Sequence, residues 1–117
     1  LKIKILGQNV RGIKKEQFRE EILCTMKERS IFALTMQETW LKGNGQLECD
    51  GNLLIHHGPD ECSGTRMSGG VAVLLSADAK DAWVKAGSKV MYFGQRIMAI
   101  RLELTDEHNR KIKLFLI

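Results

Sequence analysis

The stretch IFALTMQETWL, Ile31 to Leu41, decides how the chain is read. Its first half, Ile31 to Met36, is apolar but for Thr35, too short for a helix and interrupted by no charge. It therefore reads as a strand buried on both faces. That strand runs straight into Gln37, Glu38, Thr39 and Trp40. Two readings of the acid stand side by side: Glu38 is solvated at a strand end, or it is held there to grip a cation.

Upstream, Lys2 to Leu6 alternates polar and apolar residues before Gly7, the pattern of a strand with one buried face, and Gln8 to Gly12 forms its polar exit. Between the two strands, Phe18, Ile22 and Met26 recur every four residues within the charged segment Lys15 to Arg29. That spacing predicts an amphipathic helix covering one face of a sheet. A strand, helix, strand order permits two parallel neighbours whose ends meet on one edge, the usual place for a site in open α/β folds. Asn9 would then lie near Glu38. A carboxylate and an amide oxygen are hard donors suited to Mg²⁺, which takes one or two protein carboxylates and completes its shell with water and substrate phosphate.

Downstream, Gly43 to Gly45 reads as a loop, Asn52 to His57 as a short strand, and Gly58 to Ser68 as a polar loop with the lone Pro59. Gly69 to Leu75 carries the strongest strand pattern. Ala77 to Ala86 reads as a short helix ended by Gly87, and Ile97 to Leu104 with Lys111 to Phe115 as a hairpin about the turn Asp106 to Arg110. The sum is an α/β layered architecture whose sheets lean antiparallel.

The 117 residues suit one domain, and 44% hydrophobic with 27% charged residues is an ordinary globular balance. Eighteen basic against fourteen acidic side chains give a formal charge of +4, a mild bias toward a polyanionic or phosphate partner. Three cysteines form no paired framework, which points to a reducing, intracellular compartment, and no apolar run nears the roughly 18 residues of a membrane span. The chain enters a strand pattern at once and stops inside the apolar run Leu114 to Ile117, so it is expected to be part of a longer polypeptide.

The runs LGQNVRGI (Leu6 to Ile13), LTMQETWL (Leu34 to Leu41) and SGGVAVLLS (Ser68 to Ser76) resemble, in that order, the opening blocks of the endonuclease/exonuclease/phosphatase superfamily. AWVKAGSKV (Ala82 to Val90) and RIMAIRLEL (Arg96 to Leu104) are similar to blocks of the apurinic-type endonucleases of non-LTR retrotransposons. The resemblance implies a layered β-sandwich with flanking helices, of which residues 1–117 would be a truncated N-terminal portion of one domain. It implies a phosphodiester-cleaving hydrolase acting on DNA with Mg²⁺ or Mn²⁺, and so a nuclear setting; no obligate protein partner is inferred. Asn9 and Glu38 match the metal-site and catalytic asparagine and glutamate, and Gln37 would orient its neighbour. Gln8 stands where the family often has an aromatic residue. The later Asp/Asn and Asp-His blocks have no match here, so the chain is expected to hydrolyse little by itself. An inositol-phosphate or sphingomyelin phosphodiesterase of the same superfamily, or a non-catalytic nucleic-acid-binding retroelement remnant, are the alternatives.

Nucleic-acid contacts are expected from Arg66 before Gly69 and Gly70, from Trp40 by stacking, and from Lys14. Each also has a plainer reading, as a solvated loop arginine, a packing aromatic and a surface lysine. Lys14 and Lys15 precede a helix start, where cations are mildly unfavourable, which hints at a phosphate-facing role. The two glycines are expected to allow close backbone packing, because no helix pattern follows them. Cys49, His56, His57 and Cys62 match no common zinc spacing and read as surface loop residues. His108 reads as exposed in its turn, and Cys24 as a small buried hydrophobe.

Overall fold

The computed structural model describes residues 3–10, 13, 16–58, 69–93, 97–105 and 109–116, with the backbone alone at 16–18, 115 and 116. In order these form β1 (Ile5–Asn9), α1 (Glu16–Glu28), β2 (Ala33–Gln37), β3 (Gly45–Cys49), β4 (Asn52–His57), β5 (Val71–Leu75), α2 (Ala77–Lys85), β6 (Val90–Phe93), β7 (Ile97–Thr105) and β8 (Lys111–Leu116). Five strands make a sheet in the order β1-β2-β5-β4-β3, and three make a second in the order β6-β7-β8. The described residues make a compact α/β fold with two helices, a mixed sheet and an antiparallel one.

Among the described residues the parallel pair is β1 with β2, joined through α1, and every other ladder is antiparallel. Side chains on a strand alternate between faces, and the two faces of the larger sheet bury separate clusters. Leu34 and Met36 of β2 join Leu54, Ala72, Leu74 and Met26 of α1 on one side. On the other side Ala33, Leu53, Ile55, Val73 and Leu75 meet Ala79, Ala82 and Trp83 of α2 and Met98, Ile100 and Leu102 of β7. Burying each such aliphatic side chain contributes about 1.5–3 kcal/mol, so these clusters hold the layers together. Ser76 caps α2, its hydroxyl accepting from the Ala79 N–H at 3.3 Å. The Trp83 Nε1–H donates to the Lys89 carbonyl, tying the helix to the chain that leads into β6.

Three expectations need correction. The first strand runs on to Asn9, and no residue of it is buried: Ile5 is 37% and Leu6 43% exposed, β1 being the end strand of its sheet among the described residues. The segment Gly45–Cys49 is a strand, short and largely exposed, and carries little apolar signal; Val90–Phe93 is also a strand, apolar throughout but only four residues long. Cys24 is exposed. At 100° per residue it stands about 200° from both Ile22 and Met26, away from the buried stripe. Its thiol donates to Glu28 at 3.4 Å, and that hydrogen bond, then the Glu28 charge, raises its pKa.

Candidate functional site

The register of the parallel ladder pairs Asn9 with Gln37, so the last residues of β1 and β2 lie side by side. Neighbouring strands lie about 4.8 Å apart. Glu38 comes next and leaves the strand through a left-handed backbone at φ +55°. All three side chains are exposed. The structure therefore brings Asn9, Gln37 and Glu38 to one edge of the larger sheet.

Backbone hydrogen bonds fix the segment after Glu38. The Thr39 and Trp40 N–H groups donate to the carbonyls of Gly70 and Gly69 at 3.2 and 2.9 Å, and the Thr39 carbonyl accepts from the Ile13 N–H at 3.0 Å. The Val10 N–H donates to the Gln37 carbonyl at 3.0 Å, closing the same end from the β1 side. Thr39 is 0% exposed. A Cβ on Gly70, whose φ is +88°, would stand 2.5 Å from the Thr39 Oγ1 and 3.3 Å from the Trp40 nitrogen. A Cβ on Gly58 would run into the Leu41 carbonyl oxygen. Gly58 and Gly70 thus serve close backbone packing around the segment that carries Glu38, as expected of Gly70, and the next element is β5 rather than a helix.

Trp40 is half-buried, with φ +60°. Arg66 and Lys14 lie outside the described residues, as do Lys15, Cys62 and His108. Gln37 also borders a cavity of about 250 Å³ with Thr35, Val71, Val73, Ile97 and Met98 on the face turned toward the second sheet.

The two adjacent histidines are not surface loop residues. They end β4, and because neighbours on a strand point to opposite faces, they grip the chain from both sides of the sheet. His56 Nδ1–H donates to the Gly43 carbonyl at 3.1 Å, while His57, 7% exposed, bonds through Nδ1 to the Asn44 Oδ1 and packs against Tyr92 with ring centroids 4.5 Å apart. Cys49 sits opposite Asn52 at the far end of the β3–β4 ladder from His56. No group of three or more His, Cys, Asp or Glu side chains able to hold a metal ion occurs among the described residues. Asn9 and Glu38 make a two-donor set of one amide and one carboxylate. That set fits Mg²⁺ in chemical kind, as an ion that keeps most of its shell as water and phosphate oxygen.

No protein-family model, no curated protein and no solved structure matches the chain. The described residues contain no helix long and apolar enough to cross a membrane.

Proposed function

We propose that the chain is the N-terminal portion of a divalent-metal-dependent DNA endonuclease domain of the endonuclease/exonuclease/phosphatase type, with the layered β-sandwich of that superfamily. The observation that supports this most is the Asn9–Gln37 register, which puts the ends of β1 and β2 side by side, with Glu38 the next residue after Gln37. Glu38 and Asn9 hold Mg²⁺ or Mn²⁺, and Gln37 orients its neighbour. The ion, when bound, supplies positive charge to phosphate oxygens at the sheet edge. Asn9 donates through its amide N–H₂ to the same phosphate, and Trp40 offers a half-buried ring beside it for a sugar or base. The chain binds and orients; the groups that position an attacking water have no counterpart in its sequence, and hydrolysis requires both.

Mn²⁺ titration followed by electron paramagnetic resonance tests the metal assignment. Glu38→Gln should weaken binding at least tenfold with an unchanged thermal melt, since the side chain is exposed. Equal Mn²⁺ binding by the variant would refute it. Nicking of supercoiled plasmid against release of phosphate from inositol phosphates, in a longer chain carrying the later blocks, separates a DNA substrate from the smaller ones.

A further inference from the structure

The residues at the site edge belong to a longer row. Gln37 faces Val71 across the β2–β5 ladder, and Val71 faces His57 across the β5–β4 ladder. Directly opposed residues share a face of the sheet. Two positions along the same strands, Thr35, Val73 and Ile55 form the next row, of which Val73 and Ile55 belong to the core facing α2 and β7. Asn9, Gln37, Val71 and His57 therefore lie on that face at the strand ends, and the His57 contact with Tyr92 of β6 agrees.

His57 carries the row one strand further, because its ring holds the Asn44 Oδ1. With that oxygen engaged, what Asn44 presents is its N–H₂ group, on an exposed side chain. Lys42, exposed two residues earlier, adds a cation. The loop bearing them starts at Glu38, is bonded to Gly69 and Gly70 near its beginning, and is latched by His56 and His57 at Gly43 and Asn44. Both ends are thus fixed on the sheet. Three strand spacings separate the positions of Gln37 and Asn44, about 14 Å.

We infer that Lys42 and Asn44 form a second phosphate-binding subsite for the same polynucleotide that meets Asn9 and Glu38, with His57 as the positioning residue that aims Asn44. An amide N–H₂ and an ammonium are donors that hold backbone phosphate without reading sequence. At about 3.4 Å per nucleotide along one strand of B-form DNA, 14 Å is roughly four nucleotides. The subsite therefore adds affinity and orientation at a distance from the cleaved bond. The inference rests on the nucleic-acid reading of the first site.

The test is fluorescence anisotropy of a labelled 20-base-pair duplex binding to the full chain in EDTA over a salt series, with a thermal melt for each variant. Lys42→Ala should lower the slope of log K against log salt by about one. Asn44→Ala should weaken binding roughly tenfold or more, the effect of one hydrogen bond to an anionic phosphate oxygen, with the slope unchanged. His57→Gln should match Asn44→Ala and add nothing further when combined with it, a non-additivity that general loosening of the fold would not produce. Wild-type affinity and slope in Lys42→Ala and Asn44→Ala, with the parent binding DNA, would overturn the subsite alone. A parent chain without salt-dependent duplex binding would overturn the subsite and the nucleic-acid reading together.

Discussion

Gly70→Ala, compared with Gly69→Ala, isolates the close packing that holds the Glu38 segment. Both glycines have left-handed backbones, φ +85° at Gly69 and +88° at Gly70. An alanine there costs about 1–2 kcal/mol in torsional strain at either position. The surroundings differ: a Cβ on Gly69 meets nothing within 4 Å, whereas one on Gly70 stands 2.5 Å from the Thr39 Oγ1, with Trp40 N and Leu41 O close behind. Thr39 is fully buried and its Oγ1 accepts from the Leu41 N–H, so there is little space for it to yield. Overpacking of this kind adds about 1–3 kcal/mol. A domain of 117 residues unfolds with an entropy of roughly 0.25 kcal/mol/K, so each kcal/mol moves Tm by about 4 °C. Gly69→Ala should therefore lower Tm by about 4–8 °C and Gly70→Ala by about 8–20 °C, read by far-ultraviolet circular dichroism. Thr39→Ala in the Gly70→Ala background removes the clashing oxygen and should recover part of the loss. Equal Tm values for the two glycine variants would refute the steric account.

The two helices supply further tests. Ser76→Ala leaves the first turn of α2 without its side-chain acceptor and should cost about 1 kcal/mol in urea unfolding, with the m-value unchanged; no loss would show that the cap is replaced by solvent. Glu28 raises the Cys24 pKa, so the protonated thiol is the form the fold favours, and the contribution is present below the ordinary thiol pKa and lost as pH rises through the raised one. Alkylation of Cys24 at pH 8, read by peptide mass spectrometry, should accordingly be slower than that of an unstructured thiol and should speed up in Glu28→Gln. An unaltered rate in that variant would break the link to Glu28.

Much of the framework was readable because burial leaves a pattern in the residues. The run through Met36 and the four-residue spacing of Ile22 and Met26 announce β2 and α1, since each must bury an apolar face. The Val71–Leu75 strand and the β7–β8 hairpin are legible for the same reason. Gly45–Cys49 gives no such pattern, being largely exposed and held chiefly by its ladder to β4, while Val90–Phe93 is apolar throughout but too short for a periodicity, with Val90 packed on the core and Tyr92 on His57. At the site, the chain order suggested that Asn9 and Glu38 share an edge, but the row from Gln37 through Val71 to His57 depends on registers between distant segments. His56 and His57 were visible as an oddity, two imidazoles in sequence. Their use as a two-sided latch emerges only from the alternation of β4 and the position of Gly43 and Asn44 opposite it.

The two proposed ion ligands are unequally supported. Glu38 leaves a strand flanked on both sides and is succeeded at once by a segment bonded to Gly69 and Gly70, whereas Asn9 ends a strand that, among the described residues, pairs with one neighbour and has no buried side chain. Apparent affinity for an ion that needs both is the intrinsic affinity multiplied by the fraction of time the pair is assembled. Anything that packs over Ile5 and Leu6 would tighten ion binding without touching either ligand, making occupancy of the metal a gauge of how firmly the outermost strand is seated.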